Sequence, residues 1–148
     1  MAGKVSIACK LPSGLVLRVF NMIERDTPVM GGGSRTEKIA EQRAETATIH
    51  GWSHAQNAAP NCTIIGGYAI TDGVDKDLWD LWFSQNKNSD MVKNGLIFAN
   101  EKPSFVTDKA KEGSIITSGL ERLDPAKMNG RIKTDKDLMG REVAAKIA

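Results

Sequence analysis

The sequence is poor in aromatic residues and in cysteine, and it has no long apolar run. Its 148 residues include three Trp, one Tyr, four Phe and two Cys. Because no stretch of about 18 apolar residues occurs, we predict that no segment spans a bilayer. The short apolar patch near the start is interrupted by Lys10 and Pro12, unlike the core of a secretory signal peptide. Cys9 and Cys62 stand far apart without a Cys-x-x-Cys pattern, which is typical of reduced thiols in a cytoplasmic protein.

An excess of charge of either sign is also missing. The 20 Lys and Arg residues against 18 Asp and Glu give a formal net charge of +2, with the two signs mixed along most of the chain. Nucleic-acid-binding domains typically carry a clustered basic surface. We therefore expect neither nucleic acid nor a membrane as a partner.

The length predicts one globular domain over residues 1–125, with a long excursion within 24–60. Residues 126–148 have no aromatic side chain and carry six Lys or Arg against three Asp or Glu, which makes them poor core material. Met139, Val143 and Ile147 nevertheless recur every four residues, so a helix there would hold a narrow apolar stripe. We predict a C-terminal arm that orders against a neighbouring subunit.

The strand predictions come from alternation of apolar and polar residues. Val5, Ile7 and Cys9 alternate with small or polar residues, which predicts a strand over 4–10. The turn residues at 11–14 then predict a hairpin with a returning strand over 14–23. Further strands are expected at 46–50, paired with 62–65, and at 95–99.

The excursion admits two readings. Ser34 and Glu37 have the spacing of a capping box, which favours a helix. Glu37, Glu41 and Glu45 would then repel each other at i, i+4 spacing, which favours an extended arm. Both readings remain open from the residues alone.

Helices are predicted at 74–85, capped by Thr71 or Asp72, in a short turn after Ser89, and at 104–112 up to Gly113. Together these elements predict an α+β protein, mainly β. We expect a small antiparallel β-sandwich or barrel-like core with one Trp-rich helix, a long excursion and a C-terminal arm.

The Trp-rich helix is the candidate interaction element. At 100° per residue, the apolar arc from Leu81 through Trp79 and Trp82 to Phe83 covers about 200°, whereas a helix on a single core needs little more than 100°. The part of the arc that a single core leaves exposed must be covered either by another segment of this chain or by a partner. We predict that Trp79, Trp82 and Phe83 lie at or under a protein interface.

Sites for chemistry are weakly indicated. His50 and His54 have metal-sharing spacing, but Gly51 stands where a metalloprotease pattern needs Glu. The acids around Gly73 lack calcium-loop spacing, and the glycines at 31–33 lack a phosphate-loop frame. No Gly-x-Ser-x-Gly elbow occurs. We therefore predict no enzymatic activity, no metal and no cofactor.

Four segments of the sequence have a distinctive wording: IACKLPSGL at 7–15, GGYAIT at 66–71 running on through Val74 and Asp75 to Leu78, Trp79 and Trp82, KNGLIFA at 93–99, and SGLERLDP at 118–125. These segments resemble a family of small structural proteins from the head and neck gene modules of tailed bacteriophages. They span about half of the chain and leave out 24–59 and the tail after 128.

The resemblance implies a virion structural role without a position in the particle. The first hypothesis is a minor capsid or decoration (cement) protein that contacts the major capsid protein and further copies of itself. The alternative is a neck or tail-completion protein. A third reading, from another class, is a binding module or enzyme that is absent from the virion.

Overall fold

The computed structural model describes residues 3–55 and 57–121. Over these residues the chain forms six strands, three helices and a final 3₁₀ turn at Gly113–Ile115. The strands are β1 (Lys4–Cys9), β2 (Leu15–Pro28), β3 (Ser34–Ile49), β4 (Thr63–Ile65), β5 (Tyr68–Asp75) and β6 (Ile97–Asn100). The helices are α1 (Lys76–Asn86), α2 (Asp90–Lys93) and α3 (Pro103–Glu112).

A four-stranded antiparallel sheet in the order β4-β5-β1-β6 forms the centre of the molecule. Its middle strand β1 has the predicted alternation: Val5, Ile7 and Cys9 belong to one buried cluster, and Ala8 belongs to the other. Each face of the sheet is therefore covered by a different layer.

The first layer consists of α1 and the base of the β2–β3 hairpin, whose buried side chains include Leu17, Val19 and Ile49. The second layer is α3, which packs Val106 and Ala110 against Ala8 on the opposite face. Strands hold about twice as many residues as helices, which confirms an α+β fold that is mainly β. The two described sheets do not close into a barrel.

The predicted pairing of residues 4–10 with 14–23 is wrong. The pairing partners of β1 are β5 on one edge and β6 on the other, so no edge is left for β2. The turn at 11–14 instead carries the chain into the next layer, where β2 pairs with β3.

The predicted pairing of 46–50 with 62–65 is also wrong. Residues 46–49 pair with β2, while β4 pairs with β5. The β4–β5 turn consists of Gly66 and Gly67 at φ 58° and 83°, and a two-residue turn with positive φ at both positions suits the twist of a hairpin. This local turn chemistry makes β5 the nearest available partner of β4.

Of the two readings of the excursion, the extended one is correct, because residues 34–49 form the 16-residue strand β3. The predicted Trp-rich helix is confirmed as α1, but it begins two residues later than predicted. Val74 still pairs with Val5 in the sheet, so α1 begins at Lys76, and Thr71 and Asp72 lie in β5 instead of capping the helix.

The strand predicted at 95–99 and the helix predicted at 104–112 are confirmed as β6 and α3. Ser89 is the residue before α2, as predicted, but its hydroxyl makes no capping hydrogen bond. None of the described helices has the length and apolar character needed to cross a membrane.

Candidate protein-interaction surface

The β2–β3 hairpin extends far beyond the core that its base helps to build. Nine successive cross-strand pairs run from Phe20↔Gln42 to Pro28↔Ser34, a length of about 30 Å. We call residues 20–42 the hairpin arm. Among the described residues, the hydrogen bonds and ion pairs of residues 21–42 all stay within the hairpin, so the described part of the body gives the arm no polar support along this length.

The arm begins at an irregularity in the hairpin. The register changes between Arg18 and Phe20, where β3 contains two more residues than β2. The side chain of Gln85, from α1, holds the backbone of Phe20 at this point: its Oε1 accepts from the Phe20 N–H at 3.2 Å, and its Nε2 donates to the Phe20 carbonyl at 2.7 Å. The helix thereby fixes the direction in which the arm leaves the body.

The arm exposes large apolar side chains. Phe20 and Met22 alternate along β2 on one face and are 41% and 66% exposed. The tip ends in Val29 and Met30, and Met30 is fully exposed. Three glycines at 31–33 complete the tip with positive φ angles. These exposed apolar side chains make the arm a candidate surface for contact with another molecule.

The Trp-rich helix has a buried side and an exposed side. Trp79 and Trp82 stack with their ring centres 5.2 Å apart, and they are 7% and 4% exposed within the core of this chain. Phe83 lies 5.9 Å from Trp79 and is 41% exposed. Of the three predicted interface residues on this helix, Phe83 is therefore placed to touch a partner directly, and the two Trp residues lie beneath it.

A groove of 430 Å³ lies beside Phe83, between α1 and the edge strand β6. Its walls include Trp79, Val92, Phe98 and Lys109. The other predicted interface residues, Met139, Val143 and Ile147, lie outside the described residues, as does the whole predicted arm at 126–148.

The residues considered above as possible metal or phosphate sites do not line this groove. His50 and His54 line a cavity of 310 Å³, where the His54 Nδ1 lies 3.3 Å from the Trp52 carbonyl oxygen. Among residues 3–55 and 57–121, no group of three His, Cys, Asp or Glu residues could hold a metal ion. The glycines at 31–33 form the hairpin tip and not the start of a helix, so the structure offers no phosphate cradle there.

Lys10 is a buried charged residue that the sequence reasoning missed. Its Nζ donates to the Gly113 carbonyl at 2.9 Å and lies 4.6 Å from the centre of the Tyr68 ring. Burial lowers the pKa of the Lys10 ammonium group, and the nearby charge of Glu121 opposes that shift. The signal was available, because the alternation of β1 places Lys10 on the same face as Ala8. Lys10 stabilises the carbonyl end of α3 and takes no part in the exposed surface.

The chain matches no protein-family model, and neither a curated protein nor a solved structure matches it.

Proposed function

We propose that this chain is a structural protein of a bacteriophage virion, made in the cytoplasm of the bacterial host and acting through protein–protein contacts. Within the particle we assign it to the minor capsid or decoration (cement) proteins, which stabilise the head shell. Its partners are the major capsid protein and other copies of itself. The proposal gives it no catalytic activity and no cofactor.

The observation that carries the proposal is the hairpin arm. A two-stranded ribbon is marginally stable in water, and it becomes stable when a third strand or a packed surface is added. The arm has neither within the described residues, and it exposes Phe20, Met22 and Met30. A partner that covers the arm would supply the missing contacts, which is what a subunit of a lattice provides.

The assignment to a virion is supported by the resemblance in the sequence. Three of the segments that carry it lie in the body: residues 7–15 connect β1 to β2, residues 66–71 lead into β5, and residues 93–99 include most of β6. The fourth, 118–125, lies partly outside the described residues. The first three build the scaffold on which the arm is mounted. None of these segments is a catalytic or ligand-binding signature, which agrees with a structural role.

Mass spectrometry of purified virions tests the proposal. We expect this polypeptide in the particles of the phage that encodes it. Its absence from the particles, together with abundance in the lysate of infected cells, would contradict the proposal and favour a binding module that acts outside the virion.

Copy number separates the two positions in the particle. Quantitative densitometry giving hundreds of copies per particle supports a decoration protein, whereas about 6 or 12 copies indicate a ring in the neck or tail, because such rings are cyclic. The neck position is thus the outcome that would replace the decoration assignment.

A further inference from the structure

Within residues 3–55 and 57–121, no strand pairs with the outer edge of β3 along the hairpin arm. On the other strand, the edge of β2 at Phe20 is occupied by the side chain of Gln85. Between Thr36 and Gln42, by contrast, β3 makes no hydrogen bond to any described residue outside the hairpin. A further strand can therefore pair with the outer edge of β3. On the outer edge of β2, α1 blocks such a strand at the base of the hairpin.

The direction of the backbone groups on β3 follows from Phe20. Alternate residues of an antiparallel pair direct both N–H and C=O towards the partner strand or away from it. The Phe20 groups point away, to Gln85, so its partner Gln42 also points away, and so do Ala40, Lys38 and Thr36. These four residues present a regular row of donors and acceptors on the free edge.

The half-buried residues Ile39, Arg43 and Ala47 all stand at odd positions, so the alternation of β3 keeps its phase through the irregularity between Gln42 and Thr46. The odd-numbered residues therefore share one face, and they carry charges in a particular order. Along the strand this order is positive, negative, apolar, negative, positive, negative, in the residues Arg35, Glu37, Ile39, Glu41, Arg43 and Glu45. Within the chain, Arg43 Nη2 lies 3.0 Å from Glu45 Oε2 on this face. Read in the opposite direction, the same order complements itself when it is centred on Ala40.

We propose that two copies of this chain associate through the free edges of β3, antiparallel, around a two-fold axis that passes beside Ala40. In this register Arg35 lies opposite the partner's Glu45, and Glu37 lies opposite the partner's Arg43. The symmetry repeats both contacts, so the interface contains four charge pairs of opposite sign. Ala40 faces the partner's Ala40 as a hydrogen-bonded pair.

Registers centred on the residues next to Ala40 place like charges opposite each other. A centre on Ile39 sets Arg35 against the partner's Arg43 and Glu37 against the partner's Glu41. A centre on Glu41 sets Glu41 against the partner's Glu41 and Glu37 against the partner's Glu45. Like charges directly opposite each other destabilise a strand pair, so the centre on Ala40 is selected among these.

The association also removes the weakness of the arm. Two separate ribbons become one four-stranded sheet, which can be stable where a single hairpin is marginal. The ion pairs fall at non-hydrogen-bonded positions, where the Cα atoms are about 4.5 Å apart and the side chains approach closely. A second copy of the chain is thus a partner that fits the edge, the spacing and the charge.

The inference deepens the proposed function, because it names the self-contact of a protein that acts by assembly. Purified protein tests it without any virion. If the purified chain does not dimerise, the virion assignment is still decided by mass spectrometry of the particles. If the chain is absent from the particles, the dimer can still be measured in solution.

Charge reversal tests the pairing. Arg35→Glu and Glu45→Arg each place like charges opposite each other twice in a homodimer, so each variant of the full chain should raise the dimer dissociation constant by about tenfold or more. An equimolar mixture of the two variants restores both contacts and should dimerise close to the wild-type affinity. Sedimentation equilibrium measures all four samples, and Lys111→Glu on α3 controls for the change in net charge.

Three outcomes overturn the proposal. They are a wild-type chain that remains monomeric up to its solubility limit, single variants that dimerise like the wild type, and a mixture no tighter than its components.

Cross-linking tests the register. In a Cys62→Ser background, Ala40→Cys places two thiols on residues whose Cα atoms are about 5.5 Å apart across the axis, within disulfide range. The matched control Ala44→Cys places them about 27 Å apart along the strands, far outside that range. We expect rapid disulfide-linked dimers from Ala40→Cys alone; equal or faster cross-linking of Ala44→Cys would overturn the register.

Discussion

Trp82 and Phe83 are consecutive residues of one helix with opposite environments. A rotation of about 100° separates their side chains, so Trp82 points into the core cluster while Phe83 remains 41% exposed. The buried residues Leu78, Trp79 and Trp82 span about 100° of the predicted arc of about 200°, while Leu81 and Phe83 at its two ends are 39% and 41% exposed. The base of the hairpin, with Leu17 and Val19, belongs to the same buried cluster as Trp82, so Trp82 is covered by its own chain.

Truncation of these two residues should separate folding from assembly. Trp82→Ala is expected to lower the free energy of unfolding by about 3–5 kcal/mol, because it leaves a cavity in the core. Phe83→Ala, the matched change on the exposed side, should cost about 1 kcal/mol or less. Urea unfolding followed by far-ultraviolet circular dichroism measures both. Equal losses would mean that Phe83 is as deeply packed as Trp82.

Periodicity could identify this helix and its apolar arc but not the source of its cover. The arc depends on the residue sequence of α1 alone, whereas its cover depends on where β2 lies, 60 residues earlier in the chain. The position of Phe83 on the outer side is consistent with the prediction of an interface. Both Trp residues are buried beneath that exposed side, so their contribution to an interface stays a prediction.

At the scale of elements, one side chain of α1 bonds to the backbone at the start of the arm. Gln85 satisfies both backbone groups of Phe20, as a neighbouring strand would. The hydrogen bonds of residues 21–42 to described residues lie within the hairpin. The two hydrogen bonds of Gln85 to Phe20, called the Gln85 clamp below, are therefore the polar contact that orients the arm on the body. Single-sequence patterns offer no signal for such a contact, since a Gln on the outer side of a helix reads as an ordinary solvated residue.

Gln85→Ala should loosen the arm where it meets the body. The loss of two exposed hydrogen bonds is expected to cost about 1 kcal/mol in unfolding free energy and to speed hydrogen exchange at the Phe20 amide. Ser84→Ala is the matched control, because the Ser84 hydroxyl bonds within the helix, to the Leu81 carbonyl. An unchanged exchange rate at Phe20 in Gln85→Ala would show that the clamp does not form in solution.

Elements with local signals were predictable and their partners were not. The helix α3 ends at Glu112, directly before Gly113, and β6 lies within a short apolar segment. Both elements could therefore be placed from nearby residues. The pairing of β1 with β5 joins residues at least 60 positions apart, from Cys9↔Ala69 to Lys4↔Asp75, and no local pattern encodes it. The returning strand 14–23 was therefore assigned to the wrong sheet.

At the scale of the molecule, the body and the arm are separable. The buried clusters draw on the hairpin only at its base, through Leu15, Leu17, Val19, Ala47 and Ile49. Along the arm, Ile23 and Ile39 form a half-buried cross-strand pair. The stability of the body should thus be nearly independent of the arm.

Shortening the arm tests this independence. Replacing residues 22–40 with Asn-Gly leaves Asn21 and Glu41 as the hydrogen-bonded pair that closes a two-residue turn. We expect the shortened chain to keep its unfolding free energy within about 1 kcal/mol of the wild type, since little apolar surface is lost from the core. It should also sediment as a monomer. A collapse of the thermal transition would show that the arm is part of the folding unit.

The stacked indoles of Trp79 and Trp82 give the body an intrinsic optical label. Two chromophores held 5.2 Å apart at an interplanar angle of 28° couple their electronic transitions, and this coupling requires the fixed geometry of the native helix. The arm contains no tryptophan, so the ellipticity of the indole bands reports on the body alone. A spectropolarimeter can therefore follow the core of this protein while the hairpin pairs, separates or is removed.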